Sequence, residues 1–262
     1  MRPRREAAMD VWQEGDVLQH ARTTAALTTL MEPSHYLTPE ELAEPATKHR
    51  RLWIAIIAIE VVAASAAIIA DLAVPSLVLL VMAAVSLALR RAHWSSLGFH
   101  RPDDHRLIPK MLAFAVVWSV FQLGVTMPIA NHVSGKEQDL SDFKDLQGNV
   151  GMLIGLLLLG WTVAAVIEEL AYRGYLQTRM RQLFGISAAA LVATVLLSSL
   201  LFGRVHSEQG LIGMLIVTID GIAWSVLRYR YKTLWASVLA HGFNNTIGFI
   251  AFFLVGPIHG LW

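Results

Sequence analysis

The stretch VGMLIGLLLLGWTVAAVIEELAYRGYLQTRMRQLFG, residues 150–185, begins as a membrane helix and ends as something more polar. It carries no Asp, Glu, Lys or Arg before Glu168, then Glu168, Glu169, Arg173, Arg179 and Arg181 in quick succession. About 20 apolar residues suffice to cross a 30 Å hydrocarbon layer. Two readings follow. In one the helix stops near Ile167 and leaves Glu168 at the inner edge of the bilayer. In the other it continues to a turn at Phe184-Gly185, Arg179 and Arg181 mark the boundary, and Glu168 sits deep.

Composition extends the membrane reading to the whole chain. Its 262 residues are 55% hydrophobic and 16% charged, where soluble domains carry about 25% charged residues. Charges are absent from 111–135, 146–167, 182–203 and 233–262, and only Glu60 and Asp71 interrupt 52–89. Spans are expected near 52–70, 73–89, 111–131, 150–167, 186–203, 211–227 and 233–255. The expected fold is therefore an all-α, polytopic transmembrane bundle of about 7–8 spans around an intramembrane polar cavity.

Three parts are expected: a polar cytosolic extension at 1–51, two leading helices at 52–89, and a core at 90–262. Thr38-Pro39-Glu40-Glu41 reads as a helix start, with an N-cap, Pro at the first position and acids in the first turn. Placing the N-terminus in the cytoplasm puts nearly all Lys and Arg near the spans on the inner side, and only Lys136, Lys144 and Arg204 outside. The chain is expected to be an integral multi-pass membrane protein, in the plasma (inner) membrane if its source is prokaryotic. Loop 132–149 reads as a solvated outer loop. Gly151 and Gly155 form a GxxxG pattern that permits close helix approach.

With no Cys and a net charge of +1, the chain offers no disulfide, no thiol nucleophile and no reason to expect nucleic acid. There is no HExxH, no P-loop, no Gly-x-Ser-Gly, no Gly-x-Gly-Asp, and no Lys in 233–262. What remains is a set of polar groups in apolar surroundings, where a charge costs several kcal/mol unless paired or hydrated. Glu60 and Asp220 are isolated and read as interhelical hydrogen-bonding groups or as protonated carboxyls within the bundle. Glu169 and Arg173 are four apart and can neutralise each other, with Arg173 alternatively reaching for the headgroups. His241 and Asn245 are also four apart, so both project from one helix face and can donate to a developing oxyanion.

Helical rise tests whether these groups meet. From Glu168 to the Phe184-Gly185 turn is roughly 22 Å, and from Ser187 back to His206 roughly 28 Å. The two levels agree within about one turn, which favours the longer fourth helix.

These residues resemble the CAAX protease and bacteriocin-processing family, also called Abi. Its three motifs occur in order: EExxxR as Glu168-Glu169-x-x-x-Arg173, FxxxH as Phe202-x-x-x-His206 and HxxxN as His241-x-x-x-Asn245. Ser96-Leu97-Gly98-Phe99-His100-Arg101-Pro102 is similar to the loop that often precedes the family's core. The resemblance implies an intramembrane endopeptidase acting on a membrane-tethered or prenylated peptide. Glu168 with His206 would activate water and His241 with Asn245 would hold the oxyanion. Glu169 and Arg173 would fix the helix and orient Glu168, and Phe202 would pack the cavity wall. It favours a mechanism without a metal or other cofactor. A zinc site on Glu168, His206 and His241 stays open on residue type alone, since three protein ligands plus water is a catalytic pattern. Two non-proteolytic readings also stand, a family scaffold or bacteriocin-immunity protein, and a channel or secondary transporter.

Overall fold

The computed structural model describes residues 50–262. The expected extension up to residue 49, with its helix start at Thr38-Pro39-Glu40-Glu41, lies outside the described residues. Among those described, the chain is helical and without strands. Its helices are α1 (Arg50–Ile69), α2 (Pro75–Arg90), α3 (Leu107–Ser134), α4 (Val150–Phe184), α5 (Ala188–Arg204), α6 (Gly210–Tyr231) and α7 (Leu234–Val255). Five are long and apolar enough to cross a membrane; α2 and α5 are shorter and equally apolar. Leu52, Ile59, Val62, Val81, Leu89, Val117, Leu158 and Leu200 all lie exposed on the outside. Such a surface is stable in hydrocarbon and not in water. The protein is an integral membrane protein.

The fourth helix settles the choice between the two sequence readings. It runs for 35 residues to Phe184 and reverses at Gly185, whose φ of +92° suits a residue without Cβ. Ser187 then caps α5 by accepting from the Ala190 N–H. The span therefore ends about 17 residues beyond the shorter estimate, and Glu168 lies well inside the helix. Over Gly160–Leu176 the helix is π-wound, closing with a bond from the Gln177 N–H to the Tyr172 carbonyl. Such wide turns are uncommon and concentrate at functional sites.

A second π-turn, Gln122–Thr126, interrupts α3, and here the sequence explains it. Pro128 has no N–H, so the Gly124 carbonyl has no donor four residues on. The Met127 N–H bonds to the Gln122 carbonyl instead, which also frees the carbonyl of Leu123. The C-terminal segment satisfies both: the Leu261 N–H donates to Leu123 (2.9 Å) and the Trp262 indole to Gly124 (2.9 Å).

Helix α6 is the most enclosed of the candidate spans and packs closely on α5. A Cβ at Gly203 would collide with Thr218 and the Met214 carbonyl, so this crossing depends on glycine. At the GxxxG pattern, a Cβ on Gly151 or Gly155 would meet no atom of another helix, so neither glycine is needed for a close crossing. Gln177 ties three helices by donating to Ser198 on α5 and Ser225 on α6, each at 2.7 Å. Glu60 on α1 pairs with Arg90 (2.8 Å) and Arg179 (3.3 Å), an interhelical role in line with its reading.

The loop after α3 departs from expectation. Helix α3 continues to Ser134, and beyond it Gln138, Leu140 and Leu146 are buried, so the segment is not simply solvated. Gln138 donates to Gln209 (2.7 Å), and the Asp139 N–H bonds to the Gln209 carbonyl (3.0 Å). The few apolar residues of this loop are the ones that fold it inward.

Candidate active site

Three helices bring the singled-out residues to one place. Glu168 comes from the π-wound part of α4, Phe202 and His206 from the end of α5 and the turn after it, and His241 and Asn245 from α7. Glu168, Phe202, His206, His241 and Asn245 all line a single cavity of about 320 Å³, within the range of small-molecule sites. Glu169 and Arg173 stand behind it, both almost fully buried.

The two adjacent acids have different fates. Glu169 Oε1 receives a hydrogen bond from Arg173 Nη1 (3.1 Å) and another from His241 Nδ1 (3.0 Å). The pair four residues apart on α4 thus reaches across to α7 and fixes the imidazole there. Beyond the expected orientation of Glu168, the side chain that Glu169 bonds directly is His241. Arg173 does not reach for the headgroups. It is 1% exposed, and its guanidinium lies 4.0 Å above the Phe202 ring. Glu168 faces the cavity, and its Oε2 is buried with no hydrogen-bond partner among the described residues.

Hydrogen bonding also sets the roles of the histidine nitrogens. His206 Nδ1 lies 3.0 Å from the Phe202 carbonyl, which can only accept, so Nδ1 carries the proton. In the neutral ring, Nε2 is then a bare lone pair. His241 Nδ1 donates to a carboxylate, which leaves its Nε2 for the cavity. Its ring is stacked on Trp224 (centroids 5.8 Å apart, planes 13° apart) and meets the Phe202 edge at 6.1 Å. Phe202 also makes edge contacts with Tyr172 (5.0 Å) and His206 (5.1 Å). It is a packing centre for the whole site, beyond a simple wall.

Although Glu168, His206 and His241 share the cavity, no three His, Asp or Glu side chains among the described residues converge as metal ligands.

Residues 150–247 match the family model described as type II CAAX prenyl endopeptidase, Rce1-like. The core is Rce1-like in sequence. No curated protein and no solved structure matches the chain. The Rce1-like segment runs from the first residue of α4 into the middle of α7 and so includes all three motifs and the cavity residues they supply.

Outside the Rce1-like segment, α3 closes the cavity with Ser119, Gln122 and Leu123, and the following loop adds Gln138, Leu140 and Phe143. None of these was singled out in the sequence. Ser119 donates to Asn244 Oδ1 (2.9 Å), which places the second amide of the Asn244-Asn245 pair on the α3 side. Asp220 forms the expected interhelical hydrogen bonds, yet it too lines the cavity. The signal that could have found it was its position as an acid within the otherwise uncharged stretch 209–227. The Ser96–Pro102 loop lies away from the cavity and holds the start of α7. The Leu234 N–H bonds to the Gly98 carbonyl (2.9 Å), and Thr233 donates to that of His100 (3.0 Å).

Proposed function

We propose that this protein is an intramembrane endopeptidase of the CAAX type, hydrolysing a peptide bond of a membrane-tethered or prenylated substrate. The observation that carries the reading is the meeting of Glu168, His206, His241 and Asn245, from separate helices, on one cavity within a Rce1-like core.

In this mechanism Glu168 takes a proton from a water molecule while His206 Nε2 accepts the water's other hydrogen and aims its oxygen. The oxygen attacks the scissile carbonyl. Asn245 donates an amide N–H to the resulting oxyanion, and His241 donates Nε2–H. Because His241 Nδ1 already donates to Glu169, that second donation uses a proton on Nε2 as well, with the Glu169 carboxylate as its counter-ion. Glu168 then passes its proton to the leaving nitrogen as the C–N bond breaks. Protein groups supply every role in this mechanism, so it calls for no metal or other cofactor.

The positive-inside distribution supports a cytosolic N-terminus, and the lipid bilayer is both solvent and source of the anchored substrate. The test is peptide cleavage by purified protein in liposomes, using farnesylated and unmodified membrane-anchored peptides and mass spectrometry of the products. A single cleavage position in anchored peptides is expected. Intact peptides after incubation with folded protein would overturn the proposal.

A further inference from the structure

The cavity contains a second carboxyl that the proposed hydrolysis does not use. Asp220 on α6 accepts from Trp118 Nε1 and Gln122 Nε2, each at 2.7 Å, and both bonds fall on Oδ1. Among the described residues Oδ2 has no hydrogen-bond or ion-pair partner. Its oxygen-to-cation balance is also open. The cavity lining contains Glu168 and Asp220, two histidines, and neither Lys nor Arg, while Arg173 and His241 both already pair with Glu169. A carboxylate in a partly apolar cavity is stabilised most by a cation brought into it.

The surroundings suit such a cation. The Trp224 and Phe202 rings of the lining are already engaged by His241 and Arg173, so the partners left for a cation are oxygens. Asn244, Asn245 and Gln209 add carbonyl acceptors on the lining. We infer that Asp220 is a specificity-determining residue that receives a protonated amine or guanidinium from a basic side chain of the bound peptide. This inference rests on the peptidase reading for the nature of its ligand. Substrates with Lys or Arg close to the cleaved bond are then preferred over those with a neutral side chain of the same length.

Binding tests it separately from catalysis. The full chain carrying Glu168→Gln, in nanodiscs, is titrated with a fluorescent membrane-anchored peptide bearing one Lys, and with its norleucine twin. A third arm uses n-butylamine as competitor. The Lys peptide should bind at least about tenfold more tightly, the scale of one hydrogen bond to a charged group. Adding Asp220→Asn, which keeps the Oδ1 acceptor, should bring the ratio close to one without weakening the norleucine peptide. Asp220→Glu should retain the preference. Equal binding of the two peptides before any change at position 220 would overturn the inference, as would a preference that survives Asp220→Asn. Displacement by butylamine as strong as by the Lys peptide would also overturn it, since the ligand would then be a free amine. Failure of the wild type to cleave would count against the hydrolase reading alone, because the charge ratio is read without turnover.

Discussion

His241 Nδ1 lies 3.0 Å from Glu169 Oε1, so a buried acid on α4 fixes the ring of a histidine 72 positions away on α7. The same oxygen accepts from Arg173. The acid next to Glu168 therefore bonds to a side chain that its position in the sequence does not suggest.

Glu169→Gln keeps the shape and removes the charge of the carboxylate that holds His241 Nδ1. Turnover is expected to fall about 10²- to 10³-fold, the usual loss of one oxyanion donor, with KM nearly unchanged. Steady-state kinetics on a cleaved anchored peptide separate the two. A change confined to KM would assign Glu169 to substrate binding.

Removing one partner of a buried ion pair leaves an uncompensated charge, at a cost of about 3–5 kcal/mol. Arg173→Met should therefore destabilise the protein strongly. Combining it with Glu169→Gln should recover part of the loss, because the stranded carboxylate is gone. Thermal unfolding of the four proteins in one detergent gives the coupling. Strict additivity would mean that the contact at 3.1 Å contributes no coupling.

Phe202 touches Arg173, Tyr172, His206 and His241 at once. Phe202→Leu should lower stability by about 1–2 kcal/mol through lost ring contacts and reduce turnover by disturbing both histidines. Unfolding and activity measured on the same preparation check this. Full activity with unchanged stability would show that the ring contacts are incidental.

The C-terminal segment braces the wall of the cavity. Deleting Leu261 and Trp262 removes the donors to the freed carbonyls of Leu123 and Gly124. Each lost hydrogen bond is worth about 0.5–1.5 kcal/mol. Amide hydrogen exchange should therefore accelerate around 122–127, next to Gln122 and its bond to Asp220. Unaltered exchange there would show that the π-turn supports itself.

Much of this architecture was legible because the bilayer is a strict solvent. Charge-free runs marked the helices within a few residues, except where charges continued inside one. Helix α4 carries Glu168, Glu169 and Arg173 in its middle, and the rise per residue, not hydropathy, placed its end at Gly185. The four-residue spacings of Glu169/Arg173 and His241/Asn245 gave shared faces directly. Partners across helices were less accessible. Spacing cannot say that Glu169 bonds to His241, because this depends on how α4 and α7 cross. The same holds for α3 and its following loop, whose Gln122, Gln138 and Leu140 carry no charge or motif and join the cavity through tertiary folding alone. The N-cap at Ser187 and the missing N–H of Pro128 are local features whose part in the α5 start and the π-turn came from the structure. Gly151 and Gly155 matched a pattern, yet a Cβ at either would meet no other helix.

The central claim is that Glu168 activates water without a metal. Its most direct test is the rate of product formation, by mass spectrometry, for wild type, wild type with a chelator, and Glu168→Ala, on one anchored peptide and with folding checked for each. The account predicts an unchanged rate with the chelator and a loss of at least about 10²–10⁴ in Glu168→Ala, the contribution of a general base. A rate abolished by the chelator, or retained by a folded Glu168→Ala protein, would contradict it.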